Sequence, residues 1–228
     1  MTHLPLPTDK VDIISLFDLS GLAIIPFTKK GYKTLVVDNQ ATELNSRATY
    51  TSNVDILNYE HEITNLAKTA KLVIAFPPCT DLAVSGAKHF KNKAAKNPNF
   101  QKEALHLFKS AIRICGKDTP YMIENPIGVV STMYRKYDFN FNPCDYGGYL
   151  PEDDVHPEFP DLIPARDNYT KTTCLWTGNG FIIPEKKKLN ILNKGNAHYN
   201  SVGGKSKKTK YIRSLSPRGF FVALAEIY

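Results

Sequence analysis

A short apolar run that ends at two prolines is the feature that most constrains the fold of this chain. Residues 71–76 are almost all aliphatic or aromatic, and Pro77 and Pro78 follow directly. A run of this length predicts a buried strand. Proline ends the strand because it cannot donate a hydrogen bond to a sheet ladder. Cys79 therefore follows the carboxyl end of a strand, where open α/β sheets place their functional sites.

A second strand is predicted to end in the same way. The run at 121–125 finishes with Glu124 and Asn125, and Pro126 stops it. A thiol and a carboxylate at two strand ends are typical of a nucleophile and a proton donor. The sequence therefore predicts that Cys79 and Glu124 work together.

The order of the predicted elements indicates the fold class. Strands alternate with helices through the first half of the chain, which is typical of an α/β protein with a doubly wound, mostly parallel sheet. The strands are predicted at 12–17, 32–37, 71–76 and 121–125, with a short strand or loop at 53–56, and the helices at 22–30, 60–70 and 99–115.

The length of 228 residues fits a single domain spanning 1–228. Residues 137–170 are rich in Pro, Asp, Gly and aromatic residues without a clear period, so we expect a long ordered loop excursion there. Strand character returns at 173–176, a basic loop is predicted at 193–213, and a last helix at 220–227.

The two strand-end motifs together resemble those of the DNA cytosine-5 methyltransferase family. Its Pro-Cys motif matches Pro78-Cys79, and its Glu-Asn-Val motif matches Glu124-Asn125-Pro126, with proline in place of valine. Only about 40 residues separate Trp176 from Ser216, which leaves little room for the family's large target-recognition insertion. The chain thus resembles the compact versions carried by bacteriophages.

This resemblance implies a Rossmann-like S-adenosylmethionine-dependent methyltransferase fold and S-adenosylmethionine as the cofactor. The cofactor would be held by the glycine-containing turn after strand 1, by an acidic residue after strand 2 and by polar groups after the following strands. The implied cofactor-binding residues are Phe17, Ser20, Gly21, Asp38, Asp55, Ile56 and Pro77.

The resemblance also implies the chemistry. The Cys79 thiolate would add to C6 of cytosine and make C5 reactive towards the methyl group of the cofactor. Glu124 would donate a proton or a hydrogen bond at N3, and Asn125 would hold the loop geometry. A helix predicted to start at 80–82 would favour the thiolate through its backbone N–H groups. A base in duplex DNA would have to flip out to reach these groups.

The charge distribution favours a polyanionic partner. The net charge is +7, and much of the excess lies at 186–188 and 205–213. We therefore expect cytosine-containing DNA as the partner, with phosphate contacts from the basic loop. The resemblance further implies a contact to cytosine O2 from Lys171 or Arg166, because the family's Gln-x-Arg-x-Arg strand is not evident here. The predicted nucleic-acid-binding residues are Lys171, Lys205, Lys207, Lys208, Lys210 and Arg213.

Other site classes and locations are disfavoured. The four cysteines form no C-x-x-C pair, so no metal site is predicted. No apolar run approaches the ~20 residues of a membrane helix, and the N-terminus lacks the apolar core of a signal peptide. The sequence predicts a cytoplasmic protein of a bacterial or phage-infected host cell, without a membrane partner.

Two other functions remain open on the sequence. The pocket would also suit C5 modification of a free pyrimidine nucleotide, with methyl or another transferred group. Alternatively, the chain would be a non-catalytic methyltransferase-like module that binds nucleic acid or a partner protein.

Overall fold

The computed structural model describes residues 5–41, 47–190 and 206–228. The strands are β1 (Ile13–Leu16), β2 (Thr34–Val37), β3 (Tyr50–Ser52), β4 (Leu72–Ala75), β5 (Tyr121–Pro126), β6 (Phe139–Phe141) and β7 (Thr173–Gly178). The helices are α1 (Ile25–Lys29), α2 (Glu60–Ala67), α3 (Phe90–Lys96), α4 (Phe100–Cys115), α5 (Val130–Met133), α6 (Lys207–Ser214) and α7 (Arg218–Ala225). A 3-10 helix, Val84–His89, precedes α3.

The strands form one seven-stranded sheet in the order β3-β2-β1-β4-β5-β7-β6. Strands β1 to β5 are parallel, and β7 runs antiparallel to both β5 and β6. The strand order reverses between β1 and β4, which is the switch point where open α/β sheets bind their ligands. The predicted α/β class with a mostly parallel sheet is confirmed, and the arrangement is compatible with a Rossmann-like fold.

Helices cover both faces of the sheet, because the strand residues alternate between two apolar clusters. In β4, Val73 and Ala75 pack with residues of α2 and α4 on one face. Leu72 and Ile74 pack on the other face with residues of α1 and α7. The uninterrupted apolar run that predicted this strand thus reflects burial on both sides.

The excursion at 137–170 contains an edge strand that the sequence analysis missed. The three residues of β6 are too few for a recognisable pattern, and their partner β7 lies more than 30 positions further along the chain. Arg218 anchors the excursion, with two guanidinium hydrogen bonds of 2.7 Å to Asp154. Asp167 accepts hydrogen bonds from the backbone N–H groups of Arg218 and Gly219, and so caps α7.

The prediction of a loop throughout 193–213 is wrong for its last part, which forms α6. The side chain of Ser206 accepts a hydrogen bond of 3.1 Å from the backbone N–H of Thr209 and caps this helix. Ile212 is buried and belongs to an apolar cluster with Leu22 and Ile163. The run of lysines concealed this apolar position. Residues 193–205 lie outside the described residues.

The predicted last helix is confirmed, with bounds shifted to those of α7. Among the helices in the described ranges, none is both long and apolar enough to cross a membrane.

Candidate active site

Cys79 and Glu124 come together at the carboxyl ends of two adjacent strands. β4 pairs with β5 in parallel, with Ala75 opposite Ile123, and Glu124 is the next residue of β5. Cys79 follows β4 after the two prolines. The negative charge of Glu124 raises the pKa of the Cys79 thiol, so the two groups lie within electrostatic reach of each other.

The Cys79 thiol is partly buried and is not activated in the way that the sequence predicted. Residues 80–82 form a turn instead of a helix start, and the amides of Leu82 and Ala83 donate to the Cys79 carbonyl oxygen at 3.0 and 2.8 Å. Burial raises the pKa of the Cys79 thiol and Glu124 raises it further, whereas Lys171 and Arg213 act in the opposite direction. These two cations favour the thiolate in place of the expected helix terminus.

Glu124 lines a small pocket that is open to solvent. Burial raises the pKa of Glu124, and the opposing positive charge of Lys171 only partly offsets this. The polar residues of the lining include Glu124, Lys171, Thr173, Ser214 and Ser216, and its apolar residues include Phe76, Met122, Phe141, Phe220 and Phe221.

Asn125 fixes the diproline segment that carries Cys79. Its side chain is fully buried, and its Nδ2 donates a hydrogen bond of 3.0 Å to the Pro77 carbonyl oxygen. Its Oδ1 has no hydrogen-bond partner among the described residues. This contact is the one that the predicted role of Asn125 requires, and the role itself stays a prediction.

The loop after β1 is held by a buried carboxylate. Asp18 accepts hydrogen bonds from Ser15 Oγ at 2.8 Å, Ser20 Oγ at 3.1 Å and the Gly21 amide at 2.8 Å. Gly21 has a φ of +63° and Phe17 a φ of +58°, whereas Leu19 does not have a positive φ. Leu19 therefore adopts no conformation that would require glycine in this turn. The sequence analysis missed this function of Asp18.

Asp38 lies at the end of β2, near the loop after β1. Its Oδ1 accepts a hydrogen bond of 2.7 Å from the Gln40 amide. Burial raises the pKa of Asp38, and the nearby Asp18 carboxylate raises it further. Two carboxylates thus lie close together at the carboxyl ends of β1 and β2, which makes this edge suitable for hydroxyl donors and cationic groups.

The other predicted cofactor residues have clear local roles in the fold. Asp55 is exposed, and its Oδ1 accepts from the amides of Leu57 at 2.9 Å and Asn58 at 3.3 Å. Ile56 is only 4% exposed and packs in the core, and Pro77 is the buried proline of the diproline segment. Their contact with a cofactor stays a prediction.

The predicted nucleic-acid residues divide into two groups. Lys208, Lys210 and Arg213 are exposed on α6. Lys171 lines the pocket instead, and its Nζ donates a hydrogen bond of 3.2 Å to the Arg213 carbonyl oxygen at the end of α6. Lys207 opens α6; Lys205 lies outside the described residues.

A second cationic segment follows Cys79, and the sequence analysis missed it. Residues 84–96 bury no side chain, and Lys88, Lys91 and Lys96 are exposed. Lys93 forms an ion pair with Asp81, and its Nζ donates to the Thr80 carbonyl oxygen at 3.4 Å, directly beside Cys79. The high density of lysines at 88–96 was the available signal.

Arg47 joins the loop after β1 to α6. Its guanidinium donates hydrogen bonds to the Ser20 carbonyl oxygen at 2.5 Å and to Tyr211 Oη at 3.4 Å. It also pairs with Glu158 at 3.2 Å. No sequence pattern pointed to Arg47, because its partners lie far away in the chain.

Within the ranges that the structure describes, no group of three or more His, Cys, Asp or Glu residues is arranged to hold a metal ion. Searches of the sequence against protein-family models and against curated proteins found no match.

The electrostatic coupling predicts how Cys79 titrates. Removing the negative charge in Glu124→Gln lowers the pKa of the thiol, so the pH midpoint of its alkylation by iodoacetamide falls. Lys171→Gln removes a positive charge and raises the midpoint. The measurement is the alkylation rate against pH, with Cys79→Ser identifying the signal. Equal midpoints in all three proteins would contradict the coupling.

Proposed function

We propose that this protein is an S-adenosylmethionine-dependent DNA cytosine-5 methyltransferase. The observation that carries the proposal is the convergence of Cys79, Glu124 and Lys171 at the carboxyl edge of β4 and β5. A nucleophile beside a carboxyl group with a raised pKa and a cation are the parts that covalent activation of a pyrimidine needs.

The edge formed by β1 and β2 suits the cofactor. Asp38 offers a carboxylate where a ribose would be bound, and Asp18 and Gly21 maintain the turn beside it. When bound there, S-adenosylmethionine supplies the electrophilic methyl group. The antiparallel β7 between β5 and β6 also fits the methyltransferase variant of the Rossmann-like fold that the resemblance implies.

The residues of the site have distinct tasks in this reaction. The Cys79 thiolate adds to C6 of the cytosine, which makes C5 nucleophilic, and after transfer of the methyl group the loss of the C5 proton expels the thiolate and restores the ring. Glu124 is suited to donate a proton at N3, because its raised pKa favours the protonated carboxyl. Lys171 stabilises negative charge beside the thiol. The flipped base would contact the aromatic wall that includes Phe76 and Phe221.

The cations support a polymer as the substrate. Lys208, Lys210 and Arg213 extend along α6 beyond the pocket, and a second row at Lys88 and Lys91 follows Cys79. A free nucleotide would need one or two of these charges, whereas a DNA backbone would engage many.

A covalent trap tests the proposal. With the cofactor and DNA that contains 5-fluorocytosine, the protein is expected to form a stable adduct, because fluorine at C5 blocks release of Cys79. Cys79→Ser is expected to form none while it keeps its cofactor affinity. Denaturing gels and mass spectrometry of the adducted peptide measure the result, and DNA with ordinary cytosine is the control.

The outcomes of the trap separate the alternatives. An adduct with 5-fluoro-dCMP and none with DNA would favour modification of a free nucleotide. No adduct together with no cofactor binding would favour a non-catalytic module. Methyl transfer by Cys79→Ser at the wild-type rate would exclude Cys79 as the nucleophile.

The DNA interface makes a separate prediction. Neutralising Lys208, Lys210 and Arg213 to Gln weakens DNA binding for all sequences, because phosphate contacts do not depend on the bases. It also reduces the slope of log K against log salt by about 0.9 for each phosphate that the protein no longer neutralises. The measurement is DNA affinity at several salt concentrations.

The matched control removes three charges from the opposite edge of the sheet. Lys33, Lys71 and Lys117 are exposed and lie just before β2, β4 and β5. Their replacement by Gln changes the net charge equally and is expected to leave the slope almost unchanged. Equal slopes for the two triple variants would show that α6 is not a phosphate-binding surface.

A further inference from the structure

The segments that carry Cys79 and Glu124 cross each other a second time beyond the active site. Ala83 and Gly128 form an isolated antiparallel bridge. The Val84 amide donates to the Ile127 carbonyl oxygen at 3.0 Å, and the Val129 amide donates to the Leu82 carbonyl oxygen at 2.8 Å. The bridge thus joins the chain after Cys79 to the chain after Glu124.

The crossing leaves no room for a side chain at position 128. A Cβ atom there would lie 2.1 Å from the Leu82 carbonyl oxygen and 3.1 Å from the Ala83 Cα. Both are backbone atoms, so no rotamer change relieves the collision. The φ of Gly128 lies outside the left-handed region. Glycine is therefore required here for close backbone approach and not for its conformation.

A shift of the backbone at this crossing would also move the Cys79 thiol. The amides of Leu82 and Ala83 both donate to the Cys79 carbonyl oxygen. On the other side of Cys79, Asn125 holds the Pro77 carbonyl oxygen at 3.0 Å. The Glu124 segment therefore contacts the Cys79 segment on both sides of the cysteine, at Pro77 before it and at Ala83 after it.

We propose that Gly128 is a positioning residue that sets the place of the Cys79 sulfur relative to Glu124 and the pocket. Its effect on methyl transfer rests on the proposed function, whereas its effect on the thiol does not. The sequence shows a glycine shortly after the Glu124-Asn125-Pro126 motif. That this position requires glycine follows only from its contact with the backbone of Leu82 and Ala83.

The test is Gly128→Ala, with two readouts. Methyl transfer is expected to fall about 100-fold, since a displacement of ~1 Å costs roughly that much. The alkylation of Cys79 is expected to become faster at neutral pH, because the thiol moves away from Glu124 and into solvent. A fall in transfer together with a gain in thiol reactivity is not expected from a purely structural defect.

Gly116→Ala is the matched control. Gly116 has a φ of +57°, and a Cβ there meets no atom within 4 Å, so alanine strains the backbone at the end of α4 without contacting the site. It is expected to lower the free energy of unfolding while leaving the alkylation midpoint of Cys79 unchanged.

A milder change covers the case in which Gly128→Ala does not fold. Replacing Val84 by its α-hydroxy analogue turns the peptide N–H into an ester oxygen, so it removes the hydrogen bond to the Ile127 carbonyl oxygen and keeps the side chain. It is expected to shift both readouts in the same direction by less.

The outcomes distinguish the two proposals. An unchanged alkylation midpoint in the folded Gly128→Ala protein and in the Val84 ester protein would overturn the positioning role. Wild-type protein that transfers no methyl group, combined with a shifted midpoint in Gly128→Ala, would overturn the proposed function and support the positioning role.

Discussion

The parallel pairing of β4 with β5 is the constraint on which the site depends. It places the diproline segment and the Glu124 segment side by side at one edge of the sheet, so that Cys79 and Glu124, about 45 positions apart in the chain, interact electrostatically. The Asn125 bond to Pro77 and the backbone bridge at Gly128 then hold these segments together. Without this pairing, Cys79 and Glu124 would be unrelated strand-end residues.

The pKa shifts of Cys79 and Glu124 follow from this close approach of the two segments. Burial raises the pKa of both the thiol and the carboxyl, and the negative charge of Glu124 raises the pKa of the thiol further. Lys171 opposes the rise at both groups and also contacts the backbone at the end of α6. The pKa of Glu124 is thus shifted in the direction that suits proton donation, whereas Lys171 and Arg213 favour the thiolate of Cys79.

Local patterns predicted the parts of the structure that local patterns control. The aliphatic runs and their terminating prolines indicated β4, β5 and the positions of Cys79 and Glu124. Contacts between distant segments determine the rest: β6 exists only beside β7, and α6 depends on the burial of Ile212. The need for glycine at Gly128 arises from the backbone of Leu82, which no pattern near position 128 reveals.

The most direct test of the account locates the transferred group. The protein is incubated with S-adenosylmethionine labelled in its methyl group and with cytosine-containing DNA, and the DNA is then digested to nucleosides. The account predicts that the label elutes as 5-methyldeoxycytidine. No label in the DNA, or label on any other nucleoside or atom, would contradict it.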